Sequence, residues 1–508
     1  MAAIRARVFR NTYRDSVELM QIAAEIESMD GIDRAGLVMA TPANREVLEA
    51  AGLLSGETAA AGPNDLVVAV AAADDEVATE ALDRAATRLA GNGSDGSSEA
   101  TRTDARTIAE AQAELGTADL ALISTPGTYA TAEALKALKR GLNVFLFSDN
   151  VPIEDEIELK SIAVAKGLMV MGPDCGTAIL DGVPLGFANS VRRGSIGLVA
   201  ASGTGLQQVS CLIDRFGAGV SQAIGVGGRD LDERVGGAMM LAGLQRLAAD
   251  PGTDLIVLIS KPPAASVASR VLEAAGAAGK PVVVNFLGGD PAVVVAAGAL
   301  PAATFESAAA IASAIALGQP VPADEDLAGS EPDDDVLPGS SEGAWRIRGL
   351  YSGGSLAGEA KLILRAVLGP DQARTHEILD LGEDEYTVGR PHPMIDPRLR
   401  NEHLQAVARD PETAVILLDV VLGYGSHPDP AGALAGAIDA ARAEAASQQR
   451  TFAVVASVCG TEGDPQGLAS QEARLAAAGV ILAPSNARAA RIAAKIARSA
   501  AIPVRARA

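Results

Sequence analysis

Two glycine-bearing turns hold the residue types that grip an anion. Ser202-Gly203-Thr204-Gly205 follows the aliphatic run Ser195–Val199 and precedes the helical pattern Leu206–Phe216. Gly203 and Gly205 let the main chain come close to a bound group. The start of the helix adds partial positive charge, and Ser202 and Thr204 add hydroxyl donors, so the turn suits a phosphate or a carboxylate. The same residues serve as well in a tight strand-to-helix connection with no ligand, because Gly-rich turns are common there. A related turn, Gly225-Val226-Gly227-Gly228, closes the run Val220–Val226 and leads into Arg229-Asp230, a cation and a carboxylate at the same sheet edge.

The elements that must position these turns alternate regularly. Strand patterns fall at Leu120–Ile123, Asn143–Phe147, Leu168–Met171, Ser195–Val199, Val220–Val226, Leu255–Ile259 and Pro281–Phe286. Helical patterns separate them, among them Tyr129–Arg140, Ile157–Lys166, Leu206–Phe216 and Ala265–Ala278. This succession implies parallel sheets with right-handed crossovers. A looser version opens the chain, with strands near Ala6–Phe9, Arg34–Met39 and Leu66–Ala71. It resumes late, at Thr413–Leu418, Thr451–Ser457 and Val480–Leu482. Two segments too polar to order themselves read as linkers, Gly91–Asp104 and the acidic Val321–Gly343.

Composition bounds the function. The 508 residues are 48% hydrophobic but only 3% aromatic, so Ala, Val, Leu and Ile build the cores, as in parallel α/β layers. The net charge of −22 argues against a nucleic-acid partner and against anionic membrane surfaces. It leaves room for a small anionic substrate, because a few local donors outweigh a field screened over about 8 Å. The cysteines, Cys175, Cys211 and Cys459, form no CxxC pair and are odd in number, which fits a reducing, cytoplasmic setting. No signal-peptide pattern and no apolar run of membrane-spanning length is expected.

Several motifs, taken in order, carry a resemblance. Gly167–Ile179 (GLMVMGPDCGTAI), GSIGLVAASGTGLQQ, Gly225–Gly237 (GVGGRDLDERVGG), DLIVLISKP and KPVVVNF resemble the α subunit of succinyl-CoA synthetase. Gly349–Ala360 (GLYSGGSLAGEA), Ile416–Pro430 (ILLDVVLGYGSHPDP) and Val458–Gly467 (VCGTEGDPQG) resemble the ligase domain of its β subunit. Asn11–Met20 and Gly389–Arg400 are most similar to the FdrA-type proteins of that superfamily. The resemblance covers roughly residues 105–320 and 345–500. It implies an α/β chain: a Rossmann-like, CoA-binding-type domain over 1–190, an α-type ligase domain over 195–320, and a β-type ligase domain over 345–508. The last two are flavodoxin-like parallel sheets.

The departures from that family carry the functional expectation. The family's phosphorylated histidine is missing from Val293–Thr304 (VVVAAGALPAAT), and all four histidines, His376, His392, His403 and His427, come later. The family glutamate that orients the phosphohistidine matches Lys261, and an ammonium attracts phosphate where a carboxylate repels it. The ATP-grasp domain is missing, and Arg10–Ser16 stands where the CoA loop's glycines would be. Two phosphate-cradling turns remain, Ser202–Gly205 and Gly423, Gly425 and Ser426. In the family the corresponding helix starts face each other across one phosphoryl group.

The FdrA-type resemblance therefore implies a subunit of an oxamate carbamoyltransferase-like complex. It would handle carbamoyl phosphate in allantoin-type nitrogen catabolism, beside further subunits and a carbamate kinase. In this reading Lys261, Arg229 and His427 act in catalysis, and Asp174, Cys175, Gly228 and His392 meet the substrate. Phosphate is the expected ligand, CoA is doubtful and no metal is assigned. Bland alternatives stand beside each role. Cys175 is either a nucleophile or packing. His392, between prolines, touches the substrate or a partner, or fixes its loop. His427 donates to phosphate or is a polar residue at a helix start. Asp380, Glu383 and Asp384 hold a hard cation or form a solvated loop. Arg10, Tyr13 and Arg14 bind an anion or a partner subunit. Two other functions compete with the whole reading: an ADP-forming acyl-CoA synthetase subunit with a separate ATP-grasp partner, and a non-catalytic anion-binding scaffold.

Overall fold

The computed structural model describes the chain apart from residues 1–2, 15, 28, 42–43, 46–47, 50, 55, 92–104, 324–340, 342, 388–390 and 502–508. Both linker segments thus lie largely outside the described residues, as do Gly389 and Arg390 of the GRPHPMIDPRLR motif. The chain divides into two compact units, residues 1–114 with 383–396, and residues 115–382 with 397–508.

In the first unit the strands are β1 (Ala3–Phe9), β2 (Ile32–Met39) and β3 (Leu66–Ala72), with helices α1 (Ser16–Glu27) and α2 (Asp75–Gly91). Both outer strands run antiparallel to β3 in the order β1-β3-β2, with Ala3 opposite Ala72 and Phe9 opposite Leu66. The expectation of one Rossmann-like domain over 1–190 is corrected here. The third strand inserts antiparallel between the first two, and the parallel pattern starts only at Leu120. Strand-helix-strand spacing is the same for both arrangements, so periodicity does not separate them. β3 reads LVVAVAA because it is central and buried on both faces. One face meets Leu19, Ile22 and Ile26 of α1 and Leu82 and Leu89 of α2, and the other meets Leu48 and Leu53.

The second unit carries three sheets. β4 (Leu120–Ile123), β5 (Asn143–Leu146) and β6 (Val170–Met171) form a short parallel sheet with α3 (Gly127–Lys139) and α4 (Ile153–Lys166). The second sheet takes the order β13-β12-β11-β9-β10-β7-β8. Its members are β7 (Thr177–Leu180), β8 (Val183–Gly186), β9 (Arg193–Ala201), β10 (Val220–Gly225), β11 (Leu255–Ser260), β12 (Val282–Phe286) and β13 (Leu300–Pro301). β9 to β13 are parallel, while β7 and β8 form an antiparallel hairpin at the edge. That hairpin turns on Asp181-Gly182, both at positive φ, the preferred two-residue turn chemistry. The helices around this sheet are α5 (Gly203–Arg215), α6 (Ala238–Ala249), α7 (Ala265–Gly276) and α8 (Phe305–Ala316).

The third sheet is parallel throughout, in the order β15-β14-β16-β17-β18. It consists of β14 (Arg346–Tyr351), β15 (Glu377–Asp380), β16 (Thr413–Val421), β17 (Ala453–Cys459) and β18 (Ile481–Ala483), with α9 (Gly354–Leu368), α10 (Arg398–Arg409), α11 (Pro430–Ser447), α12 (Leu468–Ala477) and α13 (Asn486–Ala501). Every residue of β16 is buried, which explains its unbroken run TAVILLDVV. β14 and β15 escaped sequence reading because charged side chains interrupt them. The turns after β9, β10 and β14 all leave from carboxyl ends of parallel strands, where open α/β sheets place ligands.

Candidate functional site

The start of α5 is a side-chain-capped helix start that keeps main-chain donors open. Ser202 is extended at φ −163° and caps the helix, its Oγ accepting from Gly205 N at 3.1 Å. Gly205 admits no side chain, since a Cβ would run into Ser202 Oγ and lie 3.0 Å from the Phe305 ring. Among the described residues the N–H groups of Gly203 and Thr204 have no acceptor. They are the helix-start donors that an anion satisfies.

Beside this start lies a narrow cleft formed by the Asp174–Thr177 loop, the Ser202-Gly203 corner and the Gly225–Gly228 turn, with ≈ 10 Å³ of free volume. That is about the room one water needs. Asp174, Gly203 and Gly228 are exposed at its rim, while Cys175, Thr177 and Gly225 are buried within. A side chain at Gly225 would meet Thr177 O and, at 2.7 Å, Cys175 Sγ, so the loop and the turn need glycine there to close on each other. Thr177 Oγ1 is buried with no hydrogen-bond partner. Cys175 is enclosed, and burial pushes its thiol up to about 12, so it stays protonated and directs weak hydrogen bonds to Thr177 O and Gly225 O. The packing reading of Cys175 therefore prevails over the nucleophile.

Behind the cleft sits an ion network that sequence reading missed. Lys160 Nζ, on α4, donates to Glu156 Oε1 (2.8 Å), Asp230 Oδ1 (2.8 Å) and Val226 O (2.9 Å). The side chains of Lys160, Glu156 and Asp230 are each at most 1% exposed. Arg229 completes it, placing its guanidinium on Glu156 Oε2 (2.9 Å) and Val151 O (2.8 Å). This corrects the expectation that Arg229 meets the phosphate, because the network ties the Gly225–Arg229 turn to α4. Lys261 lies at the end of β11, the strand beside β9. It follows Ser260, which pairs with Ala201 just before Ser202, and it is exposed with no ion pair among the described residues.

The second helix start is also not the expected one. Ser202 Oγ donates to Ser355 Oγ at 2.6 Å, and a Cβ at Gly353 would lie 2.9 Å from Thr204 Cγ2, so α5 meets the start of α9. The Gly423–Ser426 segment opens no helix. α11 begins at Pro430, with Asp429 as its cap accepting from Gly432 N. Gly423 and Gly425 pack instead on the Gly186–Ala188 chain, where a Cβ at Gly425 would lie 2.7 Å from the Phe187 ring. Ser426 is buried, and His427 Nδ1 accepts from Asp429 N at 3.0 Å within the same loop. Just before α9, Asp419 holds the donors of Ser352 and Gly353: Oδ1 accepts from Ser352 N (2.8 Å) and Ser352 Oγ (3.0 Å), and Oδ2 from Gly353 N (2.8 Å), while the first N–H groups of the helix itself, from Gly354 on, have no side-chain cap.

The remaining candidates lie elsewhere. His392 belongs to the other compact unit, where its Nδ1 accepts from Met394 N at 3.2 Å. Arg10 pairs with Asp65 at 2.7 Å, and Arg14 donates to Leu89 O. Asp380 accepts from Gly382 N, and the Asp384 side chain lies outside the described residues. Among the described residues no group of three His, Cys, Asp or Glu side chains is placed to hold a metal ion.

Three family models match the chain: a CoA-ligase over residues 350–496, a CoA-binding domain over residues 191–288, and the AllF heavy metal-associated domain over residues 1–106. The CoA-binding model thus falls on the sheet that holds α5, not on the first unit. The first 106 residues contain neither cysteine nor histidine, so they do not fit a heavy-metal ion. The uncharacterized protein YahF of Escherichia coli (strain K12) is 42% identical over 506 residues, 94% of this chain and 95% of that one. The α-2 subunit of the mitochondrial ADP-forming succinate–CoA ligase of Trichomonas vaginalis is 31% identical over 149 residues, 28% of this chain and 47% of that one. The match therefore spans about half of that ligase subunit. Among solved structures, a dinucleotide-forming acetyl-coenzyme A synthetase 1 of Ca. Korarchaeum cryptofilum, in complex with phosphate and ADP, is 16% identical at a TM-score of 0.33, covering 75% of this chain and 83% of that one.

Proposed function

The chain belongs to the YahF family, within the succinyl-CoA synthetase-like superfamily, and on that premise we propose that it is a subunit of a carbamoyl-group transferase that binds carbamoyl phosphate at the start of α5. One observation carries the reading. The two acceptor-free N–H groups of Gly203 and Thr204 stand over a cleft with room for about one water-sized group and with no ionised nucleophile in it.

The phosphate group caps the cleft mouth on these N–H groups, and Lys261 supplies the cation as negative charge collects on the leaving phosphate. The carbamoyl oxygen alone, the size of one water, points inward to accept from the unsatisfied Thr177 hydroxyl, while the rest of the carbamoyl group stays at the mouth, where Asp174 at the rim offers an acceptor to its amino group. An incoming amide nitrogen, oxamate in the first instance, forms a bond to the carbamoyl carbon as the carbon–oxygen bond to phosphate breaks. The proton lost from the amide goes to the departing phosphate. Positioning and electrostatic stabilisation each contribute several kcal/mol, and no covalent enzyme intermediate is needed. Partner subunits supply the acceptor site, and a carbamate kinase would consume carbamoyl phosphate formed in the reverse direction.

The test is phosphate-dependent cleavage of oxalurate by this chain co-expressed with the proteins encoded beside it, read as carbamoyl phosphate formed. Turnover that falls with Ser202→Ala and Lys261→Gln supports the reading. Turnover indifferent to both substitutions makes the chain a scaffold. Thermal stabilisation by CoA with no response to carbamoyl phosphate would mark it as an acyl-CoA synthetase subunit.

A further inference from the structure

A groove of the second unit, remote in sequence from the cleft, takes no part in the chemistry above. It encloses ≈ 650 Å³ between the first residues of β14, the edge strand β15 and the outer face of α9. That volume lies in the range of small-molecule sites, about 300–1,000 Å³. Its lining is unusual for a chain of net charge −22, because it gathers Arg346, Arg348, Lys361 and Arg374 around Trp345 and His376.

These cations are not equivalent. Arg348 is held by Glu377 (2.6 Å) and Asp410, and Arg346 by Glu412 (3.1 Å) while it lies 5.0 Å from the Trp345 ring centroid. Lys361 and Arg374 are exposed and have no partner among the described residues. The Trp345 and His376 rings sit 5.9 Å apart in a tilted pair. His376 Nδ1 accepts from Ile347 N at 3.1 Å, which leaves Nε2 as the N–H donor toward the groove. Burial and the two neighbouring arginines hold this imidazole down to about 4, so it is neutral near pH 7.

One end of the groove therefore offers two tilted aromatic rings and a ring N–H, and its flanks offer two cations with no partner among the described residues. A phosphate alone would use the cations and leave the rings idle. A neutral aromatic would do the reverse. We propose that this groove binds a nucleoside diphosphate or triphosphate, its base against Trp345 and His376 and its phosphates on Lys361 and Arg374. The site stands whether or not the carbamoyl-transfer reading holds, since it shares no residue with that cleft.

Trp345 is the only tryptophan in the 508 residues, so tryptophan emission excited selectively, without the five tyrosines, reports this groove alone. Titration with ADP and with ATP should quench it saturably. Lys361→Gln and Arg374→Gln should each weaken the midpoint about tenfold, as loss of a charge-assisted hydrogen bond does. Both side chains are exposed and unpaired, so these variants should keep the parent's melting temperature. Adenosine and tripolyphosphate, each carrying half of the recognised chemistry, should bind at least tenfold more weakly than ADP. The proposal fails if neither nucleotide quenches saturably below about millimolar concentration, the scale of metabolite-type affinities. It fails equally if tripolyphosphate matches ADP, which would make the groove a polyanion patch, or if both variants bind as the parent does.

Discussion

Replacing Lys160 with Met tests whether the buried ion network shapes the anion cleft. In the parent, Lys160 and Arg229 face Glu156 and Asp230, so two cations balance two carboxylates. Lys160→Met removes one cation and leaves Asp230 with only the Met239 and Met240 N–H groups, at 3.2 and 2.8 Å. Stranding a buried charge in this way costs about 3–5 kcal/mol. The same change frees Val226 O, which Lys160 anchors inside the Gly225–Arg229 turn. Lys160 does not line the cleft, yet carbamoyl phosphate affinity should fall about ten- to a hundredfold, the scale of ångström-level misplacement. Adding Asp230→Asn removes the stranded charge while keeping the Glu156–Arg229 pair, so the double variant should regain more than half of the lost stability. Denaturant unfolding followed by far-UV circular dichroism reads the stability, and ligand-induced thermal shift reads the binding. A single variant as stable as the parent, or a double variant no better than the single, refutes the charge-balance argument.

Three further outcomes follow from the same geometry. Ser202→Ala removes the cap on Gly205 N and the partner of Ser355 Oγ, and should lower stability by about 1–2 kcal/mol in denaturant unfolding. Lys261→Gln should lower turnover of the assembled complex about a hundredfold, as loss of one charge-stabilising donor does, with the melting temperature unchanged. Glu359 is buried, and desolvation raises its carboxyl from 4.5 to about 7, with Glu306 adding to the rise while Asn486, Phe305 N and Arg491 oppose it. The folded state then binds more protons than the unfolded chain between those values. This stabilisation is complete below pH 4.5 and is lost as pH rises to about 7, about 3 kcal/mol in all. Melting temperatures from pH 5 to 8 should fall more steeply for the parent than for Glu359→Gln, and parallel profiles would refute the assignment.

The strand–turn–helix corner at Ser202–Gly205 was legible because everything that makes it is local. A continuous aliphatic run, a Ser cap and two glycines fix the strand end, the turn and the helix start within a dozen residues. Its neighbours were legible only where local chemistry was strong. The β7–β8 hairpin had its signal in Asp181-Gly182, an αL-tolerant pair between Leu180 and Val183, yet a short edge hairpin among long parallel strands is easily passed over. Lys160 and Glu156 read as an i, i+4 pair on a solvated helix face, and only the docking of the Val226–Asp230 segment makes them buried. The choice of Gly423–Ser426 as the second phosphate turn failed for a related reason. Both it and Ser352–Ser355 are Gly/Ser turns after buried strands, and which of them meets α5 at its first residues rather than along its side, where Gln207 donates to Leu422 O at 3.4 Å, depends on strand order, a non-local property that periodicity does not encode.

That difference changes the electrostatics of the site. Two open helix starts facing one anion would double the partial positive charge on it. Here the turn before the second start is filled from within, its Ser352 and Gly353 donors held by the Asp419 carboxylate, with Arg400 donating to Asp419 O at 2.7 Å and lying 3.4 Å from Oδ1, while the first N–H groups of α9 have no side-chain cap. Burial raises the Asp419 carboxyl, and Arg400 and the donors from Ser352 and Gly353 oppose that rise. For the dianion we propose, α5 offers the N–H groups of Gly203 and Thr204, and α9 adds its uncapped first N–H groups beside the Ser355 hydroxyl. Main-chain donors carry only partial charges, so in the proposed reaction a full cation still has to meet the charge that develops on the leaving phosphate, and Lys261, exposed and without an ion pair among the described residues at the end of the strand beside β9, is the side chain we assign to that part.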